Sequence, residues 1–163
     1  MITCSHMDKA HKNHWLPIIF DLYYQNMHSI APSSLSYSQE RSVWLSEVSP
    51  AVDKAPRQII LCQKDDQLIG YIQYYTRGAL LMIEEFQICS FYQNTLLFHR
   101  MCRYLGRQLP EEIRYIEAFA DIRNRASRNL MKKLGFHEAD QPTPFVHLRA
   151  DFVDVKKRFV TSK

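Results

Sequence analysis

A single α/β sandwich, in which helices cover both faces of a mixed sheet, is the fold class that the sequence predicts. Three observations lead there. The hydrophobic period switches from helical to alternating and back, giving the order helix, helix, three strands, helix, strand, helix, strand. Leu80–Ile83 is apolar at consecutive positions, as in a strand buried on both faces. The 163 residues are 46% hydrophobic and 23% charged, the composition of one ordinary globular domain. Residues 1–152 are read as that domain and 153–163 as a basic, frayed C-terminal tail.

Each element has its own signal. Leu16, Ile19, Phe20, Tyr23 and Met27 recur at helical spacing, with Asn13 as the expected cap of a helix running to about Ser29. Ser36 with Gln39 reads as a capping box, and Pro50 is expected to end the short helix that follows. Gln58–Gln63 and Gln67–Thr76 flank the polar turn Lys64-Asp65-Asp66 and form a hairpin, with Leu80–Ile88 as the next strand. From about Asn94 the residues Leu97, Met101, Leu105 and Leu109 share one helical face, and Pro110 closes that helix. Arg114–Ala120 is a short buried strand. Asn124–Leu134 is a helix stopped by Gly135, and Phe145–Phe152 alternates as the last strand.

Composition also excludes classes. Lys plus Arg exceed Asp plus Glu by four (21 against 17), a mild excess that suits a phosphate-bearing ligand and demands no nucleic acid. The basic late helix has no aromatic stacking partners beside it, so nucleic-acid binding is not expected. The aliphatic run Ala79–Ile83 is far short of the ~18 residues of a membrane helix, and the first fourteen residues lack the apolar core of a secretory signal. A cytoplasmic protein is expected. Cys4, Cys62, Cys89 and Cys102 stand singly and read as free thiols rather than a disulfide framework. His6, His11 and His14 have no supporting carboxylate or cysteine at metal-ligand spacing, so no metal is expected.

Two segments carry more than periodicity. Leu134-Gly135-Phe136 closes a helix that begins at Asn124, and Ile83-Glu84-Glu85-Phe86-Gln87-Ile88 precedes Ser90-Phe91-Tyr92-Gln93-Asn94. The first resembles the N-x-x-A-x-x-L-Y-x-x-x-G-F signature of the GCN5-related N-acetyltransferase superfamily. The second is similar to that family's I-E-x-L-x-V strand and the loop after it. The resemblance covers roughly residues 1–152 and implies a mostly antiparallel sheet. A strand running into a helix aims the helix's first N–H groups at phosphate, and a strand edge left free by a diverging neighbour can pair with an amide-bearing ligand. The resemblance implies that acetyl-coenzyme A uses both devices. Its pyrophosphate would lie on Gln93, Asn94, Thr95, Leu96 and Leu97, and its pantetheine along Phe86, Gln87 and Ile88. It also implies transfer of the acetyl group, by direct attack, to a primary amine of a small molecule or peptide.

The sequence departs from the family pattern in two places. No glycine remains in the loop, where Asn94 is the residue best able to adopt positive φ and Leu96 is bulky. Met131 stands where family members often hold a proton-donating Tyr. A non-catalytic member of the fold that binds acyl-coenzyme A or a partner is therefore the rival reading. Glu84 is the expected general base, or else a strand carboxylate paired with a basic side chain; Glu85 is expected on the opposite strand face. Asn124 either helps to order the cofactor or caps its helix. A homodimer through the last strand is a further option of the pattern.

Overall fold

The computed structural model describes residues 1–54, 56–139 and 144–161. Its elements are β1 (Ile2–His6), α1 (Lys12–Met27), α2 (Tyr37–Asp53), β2 (Gln58–Lys64), β3 (Gln67–Arg77), β4 (Leu80–Ile88), α3 (Leu97–Gln108), β5 (Tyr115–Asp121), α4 (Arg125–Lys133), β6 (His137–Glu138), β7 (Phe145–Asp151) and α5 (Phe152–Thr161). The strands form one sheet in the order β1-β2-β3-β4-β5-β7-β6. Every pairing is antiparallel except β4 with β5, which α3 joins as a crossover.

Two apolar cores follow from alternation along the strands. On one face Ile60, Ile72, Leu81, Ile83, Ile116 and Leu148 pack against Leu97, Met101 and Leu105 of α3 and Val155 of α5. On the other, Ile59, Leu61 and Tyr71 meet Leu16, Ile19 and Leu22 of α1 and Val52 of α2. The capping box of α2 forms as read: Gln39 N–H donates to Ser36 Oγ and Ser36 N–H donates to Gln39 Oε1. Gly135 stops the α4 region with φ +97°, a conformation that a side chain opposes.

Several expectations are corrected. The polar N-terminal stretch contains an edge strand, β1, paired with β2 over all five of its residues. Within that pair Cys4 lies directly opposite Cys62, and the two form a disulfide. They are not free thiols; cross-strand register, invisible in sequence spacing, brings them together. Pro50 lies inside α2, which runs on to Asp53, and α1 starts at Lys12 with no side-chain cap, so Asn13 is not the cap. The segment read as a frayed tail forms α5, whose Val155 is wholly buried; 162–163 lie outside the described residues. The last strand is not the sheet edge, because β6 pairs with Leu148 and Arg149 of β7.

Candidate active site

β4 and β5 begin side by side and then part. Pairing runs from Leu80↔Tyr115 to Ile83↔Ala118 and stops, although β4 continues to Ile88 and β5 to Asp121. An irregularity on the other edge accompanies the split: Tyr74 faces Ile83 and Gln73 faces Glu85, leaving Glu84 as a bulge. Cys89 N–H donates to Ile69 O, so antiparallel alternation turns the N–H and C=O of Ile88 and Phe86 away from β3 and into the opening. Phe86 packs on Phe98 of α3, with ring centroids 5.1 Å apart, and this closes one side of the opening. The end of α1 covers the other side, where Asn26 Nδ2 donates to Ile88 O at 2.9 Å and to Gln87 Oε1 at 3.0 Å.

The loop after β4 brings Gln93, Asn94, Thr95, Leu96 and Leu97 together at the start of α3. Asn94 has φ +61°, the left-handed conformation that a glycine would take. Thr95 Oγ1 donates to Tyr92 O and accepts the Leu97 N–H, so one leading amide of α3 is already held by the protein. No side chain caps the helix at Leu96, whose own side chain is 77% exposed and turned out of the core. Gln93 Nε2 donates to Ile88 O, a second donor on that carbonyl. Asn94–Leu97, His99, Arg100, Tyr92 and Ile2 line a cleft of about 700 Å³. Arg100 reaches across it to Ile2 O at 3.0 Å, so β1 forms one wall.

The two strand glutamates differ sharply. Glu84 accepts from Arg57 Nε at 2.9 Å on both oxygens and from Gln73 Nε2 at 3.0 Å, and Arg57 Nη2 lies 2.8 Å from Oε1. Pairing with a basic side chain is thus what the geometry contains. The bulge turns Glu84 toward Gln73, the residue opposite Glu85, so the two carboxyls do not take opposite faces as simple alternation would have them. Among the described residues no cation pairs with Glu85: it accepts from Gln87 Nε2 at 3.0 Å, and burial, opposed by that bond and aided by the nearby Glu84 charge, pushes its carboxyl up to about 7. Tyr23 of α1 lies near enough to Glu85 to feel its charge. Burial raises its hydroxyl first, and the charges of Glu85, Glu40 and Asp121 raise it further. Asp121, at the end of β5, is locked by Arg123 through Nε, Nη2 and the backbone N–H, which hold it below the usual carboxylate range.

Asn124 Oδ1 accepts from Ser127 N–H at 3.1 Å, the capping arrangement, and its Nδ2 lies 4.0 Å from Met27 Sδ at the end of α1. Met131 packs against the α3-side core. Sequence reasoning missed Asn26 and Arg57 and ranked Glu85 below Glu84. For Asn26 a signal existed: with Ile19 and Tyr23 it continues the inward stripe of α1 as a polar residue. Among the described residues no three His, Cys, Asp or Glu side chains are placed to hold a metal ion, and no helix is long and apolar enough to cross a membrane.

No protein-family model matches the sequence, nor does any curated protein. Solved structures do match. The PaiA N-acetyltransferase of Thermoplasma acidophilum, in complex with coenzyme A, superposes with a TM-score of 0.73 at 10% identity, over 93% of this chain and 99% of that one. The ribosomal-protein-S18-alanine N-acetyltransferase of Escherichia coli gives 0.64 at 14% identity, over 93% and 94%. The yncA structure of Salmonella typhimurium, with its cofactor acetyl-CoA, gives 0.59 at 13% identity, over the same shares. The chain has the fold of the GCN5-related N-acetyltransferases, with their mostly antiparallel mixed sheet and helices on both faces.

Proposed function

We propose that the chain binds acetyl-coenzyme A in the opening between β4 and β5 and transfers its acetyl group to a primary amine of a small molecule or peptide. The observation that carries this reading is the parting of the two strands after Ile83 and Ala118, which leaves the Phe86 and Ile88 edge directed into a gap beside the start of α3. Pantetheine amides pair with that edge as an added strand would, and the pyrophosphate takes the loop N–H groups of Asn94–Leu97 with Arg100 close by. Asn124 caps α4 through its Oδ1. That two of the superposed structures hold coenzyme A or acetyl-CoA supports the assignment. A supply of acetyl-CoA makes the cytoplasm the expected compartment.

The acceptor enters from the α1–α2 side, where Glu85, Glu40 and Tyr23 offer negative charge and a hydroxyl to an ammonium group. Glu85, rather than the ion-paired Glu84, takes a proton from that ammonium, because a carboxyl titrating near 7 can accept it close to neutral pH. The freed amine lone pair forms a bond to the acetyl carbon, the nitrogen gives up its second proton to water as the amide forms, the carbon–sulfur bond breaks, and coenzyme A leaves as thiolate. With Met131 unable to donate, that thiolate takes its proton from water; a thiol of ordinary acidity, about 8.5, leaves without a protein acid. Calorimetric titration with acetyl-CoA, followed by thiol release across a panel of amines, tests the reading. Binding heat and amine-dependent thiol release are expected. Absence of heat would remove the donor site, and heat without thiol release would leave the non-catalytic alternative.

A further inference from the structure

The side-chain amide of Gln87 has only one orientation that fits its surroundings. Its Oε1 accepts from Asn26 Nδ2 at 3.0 Å and its Nε2 donates to Glu85 Oε2 at 3.0 Å. Half a turn would set NH2 against NH2 and oxygen against carboxylate oxygen. Asn26 is fixed in the same way, since its Nδ2 also donates to Ile88 O at 2.9 Å. Gln87 is 8% exposed, so water offers little substitute for either bond. A chain of donors therefore runs from α1 through β4 to the carboxyl of Glu85. It has no counterpart at Glu84, which Arg57 and Gln73 hold directly.

We infer that Asn26 and Gln87 are positioning residues for Glu85: Asn26 sets the Gln87 amide, and Gln87 aims one carboxyl oxygen and favours its ionised form. The inference rests on Glu85 being the base proposed above. Among the described residues the charged and titratable groups around Glu85 are Glu84 on its own strand, ion-paired with Arg57; Tyr23 from α1; and Tyr71 from β3, wholly buried with a hydroxyl that finds no hydrogen-bond partner there. Beyond Tyr23 stand Glu40 of α2 and Asp121 of β5, the latter paired with Arg123. Burial and the Glu84 charge both oppose ionisation of Glu85. The Gln87 bond is the contact that opposes them, so breaking the chain at either residue raises the pH at which Glu85 loses its proton.

The test is a carbon-13 NMR titration of the Glu85 carboxyl, assigned by its disappearance in Glu85→Gln, in the full chain and in shape-matched variants. The midpoint is expected near 7 in the parent, about one pH unit higher in Gln87→Met and about half a unit higher in Asn26→Leu. The acidic limb of kcat/KM against pH moves the same way, and both variants regain parental rates at high pH. Should Asn26→Leu fail to fold, Asn26→Ala carries the same expectation. A midpoint that stays or falls in a folded Gln87→Met overturns the inference, and so does one that moves there yet stays put in the Asn26 variants. Shifted midpoints in a protein that acetylates no amine would instead sink the activity while leaving the carboxyl's positioning intact.

Discussion

The same two strands behave in opposite ways along their length. From Leu80 to Ile83, β4 bonds to β5, and its side chains there are apolar, Leu80 half-buried and Leu81–Ile83 buried, with Leu81 wholly so. From Glu84 to Ile88 the β5 edge is gone and polar side chains take over: Gln87, Asn26 and Gln93 gather round the backbone that β5 no longer serves. A buried backbone carbonyl must find a donor. Where the sheet supplies it, the sequence is free to be apolar; where the sheet opens, amide side chains or a ligand must do so. The Ile88 carbonyl, with two side-chain donors already on it, marks the place where ligand and protein would compete.

Four measurements sharpen or break this comparison. The largest effect is expected away from both halves, at the edge: reducing Cys4–Cys62 frees a span of 58 residues and should lower unfolding stability by about 4 kcal/mol in denaturant titration. If the opening depends only on β4 and β5, affinity for acetyl-CoA survives that reduction; if it collapses, β1 is part of the site. Next, Leu81→Ala in the paired half should cost about 3 kcal/mol of stability. Phe86→Ala in the open half, where the ring is only partly buried, should cost about 1 kcal/mol yet weaken acetyl-CoA binding more. Equal stability losses would dissolve the distinction.

Glu85→Gln comes third, with amine acetylation falling about 100-fold at neutral pH. Its stability has a sign that can be checked. The folded-state value of about 7 lies above the ordinary 4.5, so the group's contribution is complete below pH 4.5 and is lost as pH rises toward and through 7. The parent should therefore lose stability relative to the variant across that window in unfolding curves taken at several pH values. The smallest effect belongs to the loop. With φ at +61°, Asn94→Ala should destabilise by about 1 kcal/mol and weaken acetyl-CoA binding, whereas Asn94→Gly should leave melting temperature nearly unchanged and tighten binding.

Much of the fold was legible because it is written in local periodicity. The α2 capping box, the hairpin around Asp65 and Asp66, which both take positive φ, and the Gly135 stop all depend on residues within a few positions of one another. The elements missed, β1, β6 and α5, are short, and it is pairing with β2 and β7 and packing against the α3-side core that order them. At the site, Asn94 in the left-handed conformation was readable from its side chain's tolerance of that region. The pairing of Glu84 with Arg57 and Gln73, which leaves Glu85 to Gln87, was not, because it turns on a bulge and on a residue 27 positions away.

The order of the elements from α1 to α4, the burial of Leu81–Ile83 and the presence of acid, amide and loop residues next to one strand were settled by the amino-acid sequence alone, since helix and strand periods arise from backbone geometry repeated at each residue. Tertiary structure alone decided that Cys4 meets Cys62, that Arg57 claims Glu84 and that Asn26 reaches Gln87. Those pairings depend on strand register and helix placement, which balance over the whole sheet and are encoded in no local run of residues.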